Sequence, residues 1–113
     1  MDISLVLRAL SDETRRRVID ELAERDGQTL FELQVRLINW HGANLSRQAL
    51  SKHLLLMEQA GLVRTEWRWR SKHHFLDRAP LRQLWDLWLG RHAAIPDIKE
   101  SSDENCCDER IGR

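Results

Sequence analysis

Five polar side chains near the middle of the chain have the chemistry needed to bind nucleic acid. An arginine can pair with guanine and a glutamine with adenine through two hydrogen bonds each, whereas serine and lysine bind phosphate oxygens. The apolar residues between them recur at helical spacing, which leaves the five on the outer face of one helix. They predict a contact with double-stranded DNA, with a solvated helix face as the alternative; the residues are Ser46, Arg47, Gln48, Ser51 and Lys52.

The helix that carries these residues has recognisable ends. Ser46 is a favourable N-cap because its hydroxyl can accept a hydrogen bond from a backbone amide of the first turn. Leu50, Leu54 and Met57 recur at helical spacing, and Gly61 suits the left-handed residue that ends many helices. The first turns of such a helix are the part that enters the major groove of DNA.

Three further helices are predicted before this one. The first spans Ile3–Leu10, and the second runs from an N-cap at Ser11-Asp12-Glu13 to Gly27. The third starts at a capping box over Thr29–Glu32 and ends before a loop at residues 39–44. Two helices joined by a turn, of which the second exposes polar residues, form the helix-turn-helix arrangement.

A basic β-hairpin is predicted directly after the DNA-facing helix. Residues 62–69 combine β-branched and aromatic residues with rough alternation, residues 70–72 form a tip, and residues 73–76 return. A hairpin at this position is typical of the wing of a winged helix, which contacts the DNA backbone or the minor groove. Three cations on it are predicted to make that contact, the alternative being a charged edge that discourages strand addition: Arg68, Arg70 and Lys72.

The last predicted helix starts near Asp77 or Ala79, has Pro80 in its first turn and carries a wide apolar stripe. A chain of this size has too small a core to bury that stripe together with the apolar face of the first helix. The two faces predict a two-fold interface in a homodimer, and the alternative is ordinary packing within one chain. The predicted interface residues are Ile3, Val6, Leu7, Leu84, Trp85, Trp88 and Leu89.

Charge and composition are consistent with these elements. The 113 residues carry no net charge, but residues 31–80 carry eight basic and four acidic side chains and therefore form a local positive region. No apolar run reaches the roughly 20 residues that a membrane span needs, and no export signal precedes the first helix, so we expect a cytoplasmic protein. We expect one domain over residues 1–95 and an acidic, disordered tail over residues 96–113.

Other kinds of chemistry find little support in the sequence. No nucleophile and base have suitable spacing, and no glycine-rich phosphate loop or metal triad occurs, so we expect neither an enzyme nor a bound cofactor. The adjacent Cys106 and Cys107 cannot pair with each other without strain. They are either incidental residues of the tail or a thiol sensor that can hold a soft metal ion.

Two strings of residues are similar to the ArsR/SmtB family of transcriptional regulators. The string Leu45–Leu54, followed by Ala60-Gly61-Leu62-Val63, resembles the recognition helix of that family and its exit. Upstream, Ala9–Arg16 resembles the family's Ala-Leu-Ala-Asp-x-Thr-Arg string. The resemblance covers about residues 3–89 and implies a winged helix-turn-helix of the α+β class, mainly helical, with five helices and a two-stranded wing. It also implies a homodimeric repressor that binds a palindromic operator and leaves it when an effector binds.

The family's usual metal ligands are missing at both of their places. Arsenic and cadmium sensors have a Cys-x-Cys pair in the third helix, where this chain has Phe31-Glu32-Leu33-Gln34-Val35. The last helix lacks the Asp-x-His and His-x-x-Glu/His pairs of zinc sensors, so the chain resembles a branch without these sites and its effector is unknown. The predicted loop at residues 39–44 is longer than the family's, which leaves open a protein-interaction module with Trp40 and His41 on its partner surface.

Overall fold

Five helices and a three-stranded antiparallel sheet make up the computed structural model, which describes residues 2–93. This architecture confirms the predicted winged helix-turn-helix class. None of the described helices is long and apolar enough to cross a membrane. The last helix has three consecutive parts, of which the middle one is a π-helical turn. The elements are α1 Ile3–Leu10, α2 Glu13–Glu24, β1 Gln28–Thr29, α3 Leu30–His41, α4 Arg47–Gln59, β2 Val63–Arg68, β3 Ser71–Leu76, α5 Ala79–Leu84, the π-helical turn Trp85–Leu89 and α6 Gly90–Ala93.

The tail predicted at residues 96–113 lies outside the described residues, as does the predicted domain boundary at residue 95. The same holds for Cys106 and Cys107. These expectations therefore stay predictions.

Side-chain caps start each of the first four helices. Asp2 and Asp12 accept hydrogen bonds from first-turn amides of α1 and α2, at 2.9 and 3.1 Å, and Ser46 does the same for α4 at 3.1 Å. Thr29 and Glu32 form the predicted capping box at the start of α3. The backbone amide of Thr29 donates to the Glu32 carboxylate, and this bond holds the pKa of Glu32 below its ordinary value. Each cap stabilises its helix by about 1 kcal/mol, and the predicted starts of α2, α3 and α4 are confirmed.

The third helix is longer than the sequence pattern predicts. It continues to His41, and Gly42 ends it in the left-handed conformation with φ 65°. The predicted loop at residues 39–44 is therefore wrong in its first half, because Asn39, Trp40 and His41 are helical. The last turn is held by tertiary contacts, since the His41 side chain and its carbonyl oxygen both bind residues of α2, and the local sequence does not reveal such contacts.

A short strand that the sequence pattern missed follows α2. This helix ends at Glu24, before the predicted stop at Gly27. The next residues turn towards the wing, where the amide of Gly27 donates to the carbonyl oxygen of His74 (3.0 Å) and Asp26 accepts from the amide of Leu76 (2.8 Å). The strand β1 then pairs with β3, so the sheet has three strands in the order β1-β3-β2 instead of the predicted two.

The tip of the hairpin lies earlier in the chain than predicted. Arg68 pairs with Ser71, which leaves Trp69 and Arg70 as a two-residue turn in place of the predicted tip at residues 70–72. Trp69 occupies the left-handed region with φ 61°, where a side chain costs roughly 1–2 kcal/mol. The return strand accordingly starts at Ser71, two residues before the predicted start.

The hydrophobic core lies between the first four helices and the root of the hairpin. Its side chains come from α1, α2, α3, α4 and the two wing strands, and each large one contributes about 1.5–3 kcal/mol on burial. This core fixes the angle between α3 and α4. Its largest members are Leu22, Leu33, Leu37, Leu50, Met57 and Leu62.

Candidate nucleic-acid interface

The outer face of α4 presents all five polar side chains that the sequence singles out. Leu50, Leu54 and Met57 are buried against the core, so the opposite face of the helix is left to solvent. The N-terminus of α4 adds first-turn backbone amides beside these side chains, and such amides attract phosphate. The exposed set is Ser46, Arg47, Gln48, Ser51 and Lys52.

The three predicted cations of the wing differ in how free they are. Arg68 donates to Glu66 at 2.8 Å and lies over the ring of Phe75 at 5.2 Å. The hydrogen bond and charge of Arg68 hold the pKa of Glu66 below its ordinary value. Lys72 has its ammonium 3.8 Å from a carboxylate oxygen of Glu58 on α4. Arg70 lies at the tip, over the indole of Trp69. Within residues 2–93 it forms no ion pair, so it is the most available of the three for a contact with DNA.

Arg15 positions the recognition helix α4, a role that the sequence analysis did not assign. Its guanidinium donates to the carbonyl oxygens of Arg8 (2.9 Å) and Ala9 (2.8 Å) at the end of α1. Its third contact, at 3.0 Å, is with the Nδ1 atom of His53 on α4. A guanidinium has no acceptor, so in this hydrogen bond Arg15 donates to Nδ1 of His53. The signal was present in the sequence, because Arg15 belongs to the Ala9–Arg16 string.

A buried carboxylate joins α2 to the extended end of α3. Glu21 accepts hydrogen bonds from Arg36 and from Nε2 of His41, the latter at 2.9 Å, and Arg36 also contacts Glu24 at 3.3 Å. Burial alone would raise the pKa of Glu21, but the two hydrogen bonds and the nearby positive charge outweigh it, and the pKa lies below its ordinary value. The cluster holds the helix that precedes the turn of the helix-turn-helix.

The apolar side chains predicted at a dimer interface fall into two groups. Val6 and Leu84 are buried within the single chain and therefore present little surface of their own. The others are half-buried or exposed on α1 and the C-terminal helix: Ile3, Leu7, Trp85, Trp88 and Leu89. Leu87, on the same helix, is 58% exposed and was not among the predicted residues.

The C-terminal helix is not regular because it widens into a π-helical turn at Trp85–Leu89. Gly90 follows this turn, and a Cβ atom there would lie 2.6 Å from the carbonyl oxygen of Trp85. Real Cβ atoms do not approach so closely, so the wide turn depends on the glycine.

Within the described residues, no group of three or more histidine, cysteine, aspartate or glutamate side chains is placed to hold a metal ion. The segment Phe31–Val35 lies in the first half of α3 and exposes Phe31 and Val35. The described part of the chain thus offers apolar surface at that position.

Comparisons with known proteins agree with this geometry. Residues 10–66 match the family described as "Helix-turn-helix domain". The HTH-type transcriptional regulator YuzN of Bacillus subtilis is 39% identical over 84 residues, which cover 74% of this chain and 91% of that protein. An ArsR-like transcriptional regulator from Rhodococcus sp. RHA1 is 33% identical with a TM-score of 0.69, over 81% of this chain and 77% of its own. A possible transcriptional regulator for arsenical resistance is 30% identical with a TM-score of 0.62, over 75% and 81%.

The fold and the polar face of α4 define a class: a transcription regulator with a winged helix-turn-helix domain for DNA binding, and not an enzyme. Within that class the matching strings, the curated relative and the solved structures agree. The chain belongs to the ArsR/SmtB-type family of helix-turn-helix regulators.

Proposed function

We propose that the protein is a repressor that binds a palindromic operator as a homodimer. The observation that carries this proposal is the division of α4 into a buried apolar face and an exposed face of five polar residues, flanked by a basic wing. Two such helices related by a two-fold axis would enter successive major grooves on one side of the duplex, about one helical turn apart. A dimer bound over a promoter blocks access of the polymerase.

The polar residues of α4 have different roles in this proposal. Arg47 and Gln48 lie in the first turn and contact base edges, where arginine favours guanine and glutamine favours adenine. Ser46, Ser51 and Lys52 bind phosphate oxygens and fix the register of the helix in the groove. On the wing, Arg70 contacts the backbone or the minor groove, whereas Arg68 and Lys72 first have to leave Glu66 and Glu58.

The dimer is proposed to form through α1 and the C-terminal helix. Leu7, Trp85 and Trp88 expose large apolar surface on these two elements, and surface of this kind is typical of interfaces between subunits. A two-fold contact uses the same patch on both subunits, so one exposed patch is sufficient. The side of α4 that faces the major groove of DNA stays outside this patch.

Binding to the DNA upstream of the protein's own gene tests the proposal directly. Fluorescence anisotropy at moderate salt should show a clear excess of affinity over random DNA of the same length. Arg47→Ala should lose roughly 1–3 kcal/mol of discrimination at one operator position, whereas Lys52→Ala should weaken all sequences alike. Arg82→Ala, an exposed arginine on α5, is the matched control and should bind like the wild type.

Equal affinity for the upstream region and for random DNA would overturn operator binding, and would favour an interaction module with the same fold. The repressor role has its own measurement. Removal of the gene should raise transcription from the bound promoter, and a fall in transcription would show an activator instead.

A further inference from the structure

A groove of about 490 Å³ lies between the start of α3, the outer face of α4 and the wing. Its volume falls in the range of sites that bind small molecules, roughly 300–1,000 Å³. Arg47 and Arg70, two of the proposed DNA contacts, are among the residues that line it. The groove contains no residue of α1 or the C-terminal helix among its lining, so the proposed dimer leaves it open.

Three large, exposed apolar side chains form part of the groove wall beside its polar residues. Phe31 is 63% exposed, Leu55 is 55% exposed and Trp67 is 67% exposed, and all three line the groove. Most contacts to phosphates and base edges are hydrogen bonds, so three large exposed apolar side chains in one groove are more than a DNA contact requires, and they lie outside the core. Two aromatic rings and a leucine suit a flat apolar body of one or two rings.

The groove also contains a buried imidazole with an unused acceptor. His74 is 4% exposed, and its Nδ1 atom lies 3.0 Å from the carbonyl oxygen of Gln28. A carbonyl oxygen only accepts, so Nδ1 carries the proton and Nε2 has a lone pair. Burial keeps the pKa of His74 below its ordinary value, so the ring is neutral at pH 7. Within residues 2–93, Nε2 makes no hydrogen bond, which leaves it available to a hydroxyl group of a ligand.

The groove carries a net positive charge, because two of its cations have no acidic partner. Lys72 and Glu58 both line the groove and lie 3.8 Å apart, so they largely neutralise each other. Arg47 and Arg70 have no acidic partner within 4 Å in the described part of the chain. Two uncompensated guanidinium groups beside an apolar groove favour a carboxylate, which each can bind with two hydrogen bonds.

We propose that this groove binds a planar aromatic carboxylate with a hydroxyl group at the far end of its ring system, and that the bound ligand displaces DNA. The rings lie between Phe31 and Trp67, the hydroxyl donates to His74, and the carboxylate occupies Arg47 and Arg70. Displacement follows because the ligand and the operator require the same two arginines. This second half rests on the proposed function, whereas binding of the ligand to the free protein does not.

Isothermal titration calorimetry on the full chain without DNA tests the site alone. The probe is 6-hydroxy-2-naphthoate, compared with 2-naphthol, which lacks the carboxylate, and with 2-naphthoate, which lacks the hydroxyl. We expect 2-naphthol to bind roughly tenfold more weakly, because charge-assisted hydrogen bonds are the stronger ones, and 2-naphthoate to bind about threefold more weakly. Equal affinity of the first two probes, or no heat of binding, would overturn the site.

Two wall variants locate the site without touching the proposed DNA contacts. Phe31→Ala and Trp67→Ala remove exposed rings, so both proteins should keep the wild-type circular dichroism spectrum and operator affinity. Each should weaken binding of the hydroxynaphthoate about fivefold. Trp40→Ala, which removes an equally exposed indole at the other end of α3, is the matched control and should leave it unchanged. An effect of Trp40→Ala in place of the other two would place the ligand elsewhere and overturn the proposal.

Competition with the operator tests the displacement. Hydroxynaphthoate at ten times its dissociation constant should weaken operator binding by about tenfold in the wild type and much less in Trp67→Ala. If the wild type binds the operator but the saturating ligand has no effect, displacement is wrong while the proposed function stands. If the protein binds the probe but no operator, the proposed function fails and the site stands.

Discussion

Glu21 is the only buried carboxylate among the described residues, and it joins two helices that must keep a fixed angle. Its two hydrogen-bond partners, Arg36 and His41, both come from α3. A buried charge is unfavourable unless it is paired, and here the pairing is sufficient to lower the pKa below the ordinary 4.5. The folded protein therefore favours the ionised form of Glu21. Removal of this charge leaves Arg36 without its main partner.

Glu21→Gln should lower the free energy of unfolding by about 2 kcal/mol at neutral pH. The stabilisation by the wild-type carboxylate is fully present above the pKa of the unfolded chain. It is lost as the pH falls through the lower pKa of the folded protein, so the difference between variant and wild type should shrink near pH 3. Urea unfolding of the variant and the wild type, at neutral pH and near pH 3, measures this difference in the free energy of unfolding. Glu13→Gln, in an exposed pair with Arg17, should cost less than about 0.5 kcal/mol, and an equal loss in both variants would contradict the role of burial.

The starts of the helices could be predicted from the sequence, but several ends could not. An N-cap depends on one side chain and an amide two or three residues away, as at Asp12, Thr29 and Ser46, so the signal is local. The end of α3 depends on the contact between Glu21 and His41, which are 20 residues apart. The π-helical turn depends on close packing at Gly90, and β1 exists only because β3 lies beside it.

The tip of the wing shows a conflict between residue type and backbone conformation. Trp69 has φ 61° and is 91% exposed, so almost no packing of the side chain offsets the unfavourable backbone. Glycine adopts this conformation without the steric penalty. The tryptophan at this position is therefore unfavourable for the stability of the free protein.

Trp69→Gly should stabilise the protein by about 0.5–1 kcal/mol, because relief of the backbone strain exceeds the entropy that glycine adds to the unfolded chain. Arg70→Gly, at the next position, is the matched control. Arg70 does not have a positive φ, so glycine there should be neutral or destabilising. Thermal unfolding of both variants and the wild type measures the difference, and the expectation is wrong if the two substitutions shift the midpoint in the same direction by the same amount.

The separate parts of the candidate site differ in how far the sequence could reveal them. The outer face of α4 was predictable because its residues lie on one helix and share one period. The link from Arg15 to His53 joins residues 38 apart, and the groove gathers side chains from α3, α4 and the wing. Arg70, which lines that groove, belongs to a turn that the sequence pattern placed too late.

The assembly of two chains is the remaining expectation, and the exposed indoles of the C-terminal helix make it testable. Trp88→Glu places a charge in the proposed interface and should convert a dimer into monomers in analytical ultracentrifugation, since an unpaired charge is unfavourable in a desolvated contact. Trp88 is exposed in the single chain, so the fold should survive, as circular dichroism would show. A monomer loses the second half-site, and operator affinity should fall by about 100-fold or more because the two helices no longer bind as a linked pair.

Trp40→Glu is the matched control. It changes an exposed indole on α3 and should remain dimeric. Dissociation of Trp40→Glu, or an unchanged mass of Trp88→Glu, would place the dimer contact on another surface. Either result would overturn the proposed two-fold arrangement of the recognition helices, because that arrangement depends on the position of the dimer contact.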